Sequence, residues 1–221
     1  MYSLILKDLL IQKKTLGFIL GYSMFLLFVF QSPDLAEMVY VIGAMASTYI
    51  LILGACAYEG KGGSEIVLNS FPLRRKDVVR ARYLSVFVFM FLSLVIIGFS
   101  GAVMKGIGLP FPQRYLSWFD VMGVAVSSLL LTSLYLPFYF KFGYIRARLV
   151  NLLVFFLFFF IPAYVMNYYQ ENSTKEWFSQ TMIFLDNHPA WLIGGMIVML
   201  LLIMMYLSSL LSVKFYQWRE F

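Results

Sequence analysis

The chain consists mainly of long apolar runs separated by short polar segments. Runs of about twenty residues are long enough to cross the hydrocarbon of a bilayer as helices. They predict an all-α polytopic membrane protein in which 1–221 form a single transmembrane domain with six transmembrane helices. The predicted spans are about 15–31, 36–57, 83–104, 119–140, 149–168 and 190–213. An even number of crossings places both termini on the same side of the membrane.

The N-terminal segment mixes leucines and isoleucines with charged residues over 1–14. This pattern predicts an interfacial helix whose apolar side lies on lipid while Lys7, Lys13 and Lys14 meet headgroups. In the first span, Gly17 and Gly21 form a GxxxG pair. Such a pair allows two helix backbones to approach closely, so we predict helix packing there.

Two longer polar connections interrupt the apolar pattern. Segment 58–82 contains a short helix predicted over 64–72, since Ser64 can cap its start and Pro72 prevents its continuation. Ile66, Leu68 and Phe71 are apolar residues that a bare linker does not need, so they suit docking into a groove on another protein. Segment 170–187 is expected to lie on the outer surface as an amphipathic helix.

Overall charge is +6, and its distribution along the chain is uneven. With cytoplasmic termini, fourteen of the 17 Lys and Arg residues lie inside, as the positive-inside rule requires. This makes segment 58–82 a cytoplasmic loop and explains the basic charge without nucleic acid. The cations expected to contact lipid at the inner surface are Lys7, Lys13, Lys14, Arg74, Arg75 and Lys76, and Arg80 and Arg82 can also reach lipid phosphates.

Residue types that carry chemistry are scarce. The chain has one cysteine, Cys56, and one histidine, His188, so no metal or catalytic site is predicted. The glycine-rich stretch at 60–64 is not a phosphate-binding loop, because that motif needs glycine where Ala55 stands. Ionisable residues are almost absent from the spans, which disfavours ion-coupled transport. The chain is therefore not expected to be an enzyme, and any ATP-driven process needs a separate ATPase.

Residues 64–79, SEIVLNSFPLRRKDVV, resemble the SE-I-LNSLP-x-x-RK-x-IV signature of ABC-2 type permeases. The resemblance extends to six spans, a basic amphipathic N-terminus and a long loop after the second span. It implies that 64–72 form a cytoplasmic coupling helix that docks onto an ABC ATPase subunit, which binds ATP and magnesium. The contact residues expected for that partner are Glu59, Ser64, Glu65, Ile66, Leu68, Asn69, Phe71 and Pro72. Two permease halves, identical or related, and two ATPases would form the exporter.

The resemblance points to a bacterial plasma-membrane protein, most similar to peptide exporters such as phenol-soluble modulin or bacitracin-type systems. The leading hypothesis is therefore a permease subunit that exports an amphipathic peptide or another hydrophobic substrate. Two alternatives stay open from the residues: a non-transporting structural or regulatory subunit of a membrane complex, and a passive channel.

Overall fold

The computed structural model describes residues 2–30, 38–60, 74–108, 114–172 and 189–218, and these ranges are helical without strands. The prediction of an all-α protein is confirmed for this part of the chain. The six helices are α1 (Tyr2–Ile11), α2 (Lys13–Val29), α3 (Val39–Gly60), α4 (Arg75–Gly106), α5 (Trp118–Asn172) and α6 (Ala190–Trp218).

Four helices in the described ranges are long and apolar enough to cross a membrane. They are α3, α4, the Trp118–Val154 part of α5 and the Trp191–Trp218 part of α6. Helix α2 occupies the first predicted span but has only 17 residues, about 26 Å of helix. The total of six crossings stays a prediction. The coupling helix predicted over 64–72 and most of outer segment 170–187 lie outside the described residues.

Helix α5 contains a sharp reversal at Gly143. The backbone there has φ 75° and ψ 171°, a left-handed conformation that glycine adopts without steric cost. Tyr49 of α3 contacts both sides of this point: its ring packs edge-on against Tyr135, and its hydroxyl donates to Asn151. In a straight helix Tyr135 and Asn151 would be about 24 Å apart. The two arms of α5 therefore run back beside each other, as the spans predicted at 119–140 and 149–168 require.

The non-helical residue Gly143 lies between the spans predicted at 119–140 and 149–168. Close packing surrounds the reversal. A Cβ at Gly60, the last residue of α3, would lie 2.5 Å from the Cβ of Tyr144. Glycine at position 60 thus allows the end of α3 to sit directly against the turn of α5.

Helix α3 is the central helix of the bundle. In its most apolar 18-residue stretch 61% of the residues are buried, compared with 22% in that of α6. The largest buried cluster joins Leu51, Ile52 and Cys56 of α3 to side chains of α2, α4, α5 and α6. Cys56 is a free, buried thiol and packs in this cluster as a small hydrophobic side chain. Helix α6 instead exposes many large apolar side chains, including Trp191, which suits a lipid-facing position.

Both ends of the described chain lie at the same end of the bundle. Asp8 of α1 pairs with Arg82 near the start of α4, and Arg75 at that start donates to the carbonyls of Tyr216 and Gln217 near the end of α6. The turn of α5 is at this end too, against Gly60. We call it the terminal end. Its orientation toward the cytoplasm stays a prediction from charge.

Candidate functional site

The most concentrated polar chemistry in the described ranges is an ion-pair network at the terminal end. It is centred on Arg82 of α4, whose side chain is only 3% exposed. Arg82 Nη1 lies 2.8 Å from Asp8 Oδ2 on α1, and Nη2 lies 2.5 Å from Glu59 Oε2 on α3. One guanidinium therefore connects two carboxylates from two other helices, which its planar group of donors allows.

A second cation completes the set. Lys7 Nζ lies 2.8 Å from Glu59 Oε1 and 3.7 Å from Asp8 Oδ1. Lys7, Asp8, Glu59 and Arg82 form what we call the four-charge network, and their formal charges sum to zero. Buried charges are tolerated when they are paired in this way, because pairing offsets the loss of hydration.

Two neutral hydroxyl groups also donate to the carboxylates. The Ser85 hydroxyl donates to Asp8 Oδ2 over 3.2 Å, and the Tyr139 hydroxyl of α5 donates to Glu59 Oε2 over 3.1 Å. Burial raises the pKa of the Asp8 carboxyl above its ordinary value, while the Arg82 guanidinium and the Lys7 ammonium oppose that shift. With Tyr139 included, the network links α1, α3, α4 and α5.

Helix α1 is positioned by these charges together with an apolar contact, because Leu9 packs against the main buried cluster. Asp8 is 6% exposed and faces the bundle, whereas Leu6 and Leu10 are 42% and 55% exposed. In water this arrangement would be unfavourable, but on a bilayer the leucines can enter lipid while Asp8 binds the protein. Helix α1 thus exposes Leu6 and Leu10 and turns Asp8 toward the bundle, and its position at a membrane interface stays a prediction.

The four-charge network flanks the segment at 61–73. Glu59 lies just before this segment on α3, and Arg82 lies in α4, which begins at Arg75 just after it. The ion pair between them ties together the helix that leads into the segment and the helix that leads out.

A second set of hydrogen bonds at the terminal end joins α4 to α6. Arg75 Nη1 lies 3.2 Å from the Tyr216 carbonyl oxygen and 2.9 Å from that of Gln217. Carbonyl groups in the last turn of a helix have no partner within the helix, and they carry the negative end of its dipole. Arg75 supplies both the hydrogen bonds and the favourable charge, so the end of α6 is held by the start of α4.

At the opposite end of the bundle, the described residues form a further ion pair. Arg114 Nη1 and Nη2 lie 2.6 Å and 2.7 Å from the two carboxylate oxygens of Asp120. Asp120 also accepts from the Ser117 backbone N–H over 2.7 Å, and the Tyr40 hydroxyl donates to the Arg114 carbonyl over 3.0 Å. These contacts fix the start of α5 against α3.

The residues predicted to contact an ATPase divide into two groups. Glu59 is described: its carboxylate is 11% exposed and is bonded to Lys7, Arg82 and Tyr139. The others lie outside the described residues, namely Ser64, Glu65, Ile66, Leu68, Asn69, Phe71 and Pro72. Their contact with a partner stays a prediction.

Cations expected at the lipid surface occupy three kinds of position. Lys13, Lys14 and Arg74 are exposed, and Arg75 and Lys76 are partly exposed. Lys7 is 30% exposed and belongs to the four-charge network. The expectation that Arg82 reaches lipid phosphates is wrong, because its side chain is buried between the carboxylates of Asp8 and Glu59.

The glycine pair predicted to pack against another helix lies on the exposed side of α2. A Cβ built at Gly17 or Gly21 has no described atom within 4 Å. Close approach at this pair stays a prediction. In the described ranges no group of three or more His, Cys, Asp or Glu side chains could hold a metal ion.

The sequence did not reveal the four-charge network as a unit. Its members lie on three helices, with Asp8 and Arg82 separated by 74 residues, and each one alone fits the charge pattern of an inner membrane surface. The usable signal was Asp8, an acidic residue within an otherwise basic N-terminal segment, where it weakens the attraction to anionic lipid. Such a residue suggests a cationic partner elsewhere in the protein.

Comparison with known proteins agrees with this architecture. A family model described as ABC-2 family transporter protein matches residues 3–217. Searches of curated proteins and of solved structures found no match. The matched range includes α1, the helices on both sides of segment 61–73, and α6 up to Gln217. Together with the four long apolar helices, it identifies a multi-pass membrane protein, and the chain belongs to the ABC-2 family of transporter proteins.

Proposed function

We propose that the chain is the permease subunit of an ATP-driven ABC exporter in a bacterial plasma membrane. It moves an amphipathic peptide or another hydrophobic substrate outward. ABC-2 family membership supports a membrane subunit that works with an ABC ATPase. In this proposal ATP and magnesium bind to separate ATPase subunits, and a second permease half, identical or related, completes the transporter.

The observation that carries the proposal is the position of the four-charge network. It connects α3 and α4 on both sides of segment 61–73, where the coupling helix is predicted. If α3 and α4 were not joined, movement of the coupling helix could shift one of them without the other, and less of the movement would reach the spans. Because Glu59 and Arg82 are paired in a buried setting, a push on the segment moves both helix ends together.

The same contacts extend the movement to the remaining helices. Glu59 accepts from Tyr139 near the turn of α5, Asp8 joins α1, and Arg75 joins the end of α6. Packed helices transmit displacement with little loss, because protein interiors are close-packed. The helix ends at the terminal end therefore move together when the ATPases close, and this movement changes the arrangement of the spans.

Purification from native membranes, followed by an ATP hydrolysis assay in reconstituted vesicles, tests this function. We expect an ABC ATPase to copurify with the chain. The double variant Glu65→Lys with Leu68→Asp should lose the ATPase while still inserting into the membrane. Recovery of the chain without an ATPase, under conditions that preserve complexes, would contradict the proposal. Recovery with an ATPase but without movement of any amphipathic peptide would favour a non-transporting subunit.

Transmission through the network is tested separately from docking. Tyr139→Phe and Lys7→Gln each remove one contact of Glu59 and leave its pair with Arg82. We expect both variants to retain the ATPase but to couple ATP hydrolysis to export less efficiently. Lys14→Gln is the matched control, since it removes an exposed cation outside the network. Equal coupling in all three variants would show that the network does not transmit movement.

A further inference from the structure

A groove lies between α4 and α6 on the periphery of the bundle, on a different face of α4 from the four-charge network. Its volume is about 440 Å³, within the usual range for small-molecule sites. Tyr83 and Met205 form its floor and are 5% and 4% exposed. The groove is lined by Arg80, Tyr83, Leu84, Phe87, Leu202, Met205, Tyr206 and Ser209.

The groove runs parallel to the helix axes. On α4 the lining positions follow the spacing i, i+3, i+4, i+7 from Arg80, and on α6 they follow the same spacing from Leu202. Two helical turns of lining correspond to about 10 Å of length. In a membrane such a groove points along the bilayer normal, the direction in which a lipid acyl chain extends.

One end of the groove is cationic. Arg80 is exposed, and within the described ranges no carboxylate lies within 4 Å of its guanidinium. The other wall residues are mainly apolar and exposed, with Leu84 at 46% and Leu202 at 41%. The groove thus combines a free positive group at one end with an apolar channel along its length.

Contacts on both sides of Arg80 fix its depth. Below it, Arg75 binds the carbonyls of Tyr216 and Gln217; above it, the Tyr83 hydroxyl lies 2.8 Å from the hydroxyl of Ser212. Arg80 is therefore level with the last turns of α6, where Trp218 is 73% exposed. An exposed tryptophan at a span end marks the headgroup region, so Arg80 lies at phosphate depth.

We propose that this groove binds one anionic phospholipid from the surrounding bilayer. Its phosphate group accepts hydrogen bonds from Arg80, and one acyl chain lies along Leu84, Phe87 and Leu202. Charge complementarity selects an anionic headgroup, since the guanidinium forms no ion pair with a described carboxylate. This inference uses only the membrane location of the chain and stands independently of the proposed export activity.

Native mass spectrometry of the purified chain with phosphatidylglycerol or phosphatidylcholine tests the site. We expect one phosphatidylglycerol to bind at least several-fold more tightly than phosphatidylcholine. Arg80→Gln should weaken phosphatidylglycerol binding by about tenfold, the effect of losing one charge-assisted hydrogen bond. Lys14→Gln removes the same charge from α2 and should leave this binding unchanged.

Leu202→Trp fills the apolar part of the groove and keeps Arg80, so it should also weaken phosphatidylglycerol binding. Both groove variants alter exposed positions, and thermal melting in lipid-free detergent checks that they fold. Unchanged binding in Arg80→Gln would overturn the proposal, as would an equal loss in Lys14→Gln. A detergent-stable dimer that Leu202→Trp dissociates would also overturn it, because a second copy would then occupy the groove.

Discussion

The two ends of the bundle each contain an arginine–carboxylate pair, but the pairs differ in burial and in sequence separation. At the terminal end Arg82 is 3% exposed and binds Asp8, 74 residues away. At the opposite end Arg114 is 32% exposed and binds Asp120, six residues away. The first pair fixes how separate helices meet, whereas the second fixes how one helix begins.

This difference indicates where mechanical rigidity is concentrated. The Arg114–Asp120 pair lies in the approach to α5 and the Ser117 backbone adds to it, so it resembles a helix cap. The four-charge network instead lies beside the segment predicted to receive the ATPase. A transporter needs helices that move together at that point, and a buried network with satisfied partners supplies such a connection.

The largest expected effect comes from Arg82→Met. This change leaves Asp8 and Glu59 in a buried site without the guanidinium, and removal of one partner from a buried pair costs about 3–5 kcal/mol. Denaturant unfolding in detergent micelles measures the loss. Lys76→Met is the matched control at a partly exposed position of the same helix and should cost less than about 0.5 kcal/mol. An equally small loss of unfolding free energy for Arg82→Met would show that the buried pair at the terminal end is not the stronger one.

An intermediate effect is expected for Asp120→Asn. The change removes the charge that binds Arg114 and weakens the cap at Ser117, for a cost of about 1–2 kcal/mol. The same unfolding measurement applies. Asp77→Asn, in the first turn of α4, is the control and should cost only about 0.5 kcal/mol through the helix dipole. A cost for Asp120→Asn that equals that of Arg82→Met would show that sequence separation does not distinguish the pairs.

The smallest effect is expected for Lys7→Gln. Its side chain is 30% exposed, and Glu59 keeps Arg82 and Tyr139. Partly exposed ion pairs contribute about 0.5–1 kcal/mol, and added salt should reduce this contribution. Comparison of the unfolding free energy of wild type and variant at low and high salt measures it. A loss that is large and independent of salt would place Lys7 with the buried members of the network.

Several features of the fold could be predicted because they depend on local composition. Apolar stretches predicted the helices at 36–57, 83–104, 119–140 and 190–213, and the gap between the spans at 119–140 and 149–168 contains the turn of α5. The family resemblance found in residues 64–79 was confirmed by the match over 3–217. The spans alone did not show which residue between them makes the turn, because composition does not report backbone dihedral angles.

The candidate site could be predicted only in part. Glu59 was selected as a partner contact because it is a charged residue beside the predicted coupling helix. The structure shows its carboxylate bonded to Lys7, Arg82 and Tyr139. Arg82 was counted with lipid-facing cations, because charge patterns report which side of a membrane a residue is on and not which face of a helix it occupies.

The sequence by itself determined that the chain is helical, apolar enough for a membrane, and charged asymmetrically along its length. Those properties follow from backbone hydrogen bonding in lipid and from the cost of moving cations across it. Only the tertiary structure decided that Asp8, Glu59 and Arg82 meet, that α5 turns back at Gly143, and that Arg80 opens onto a groove. These outcomes depend on which helix faces pack together, and packing joins residues whose separation carries no local signal.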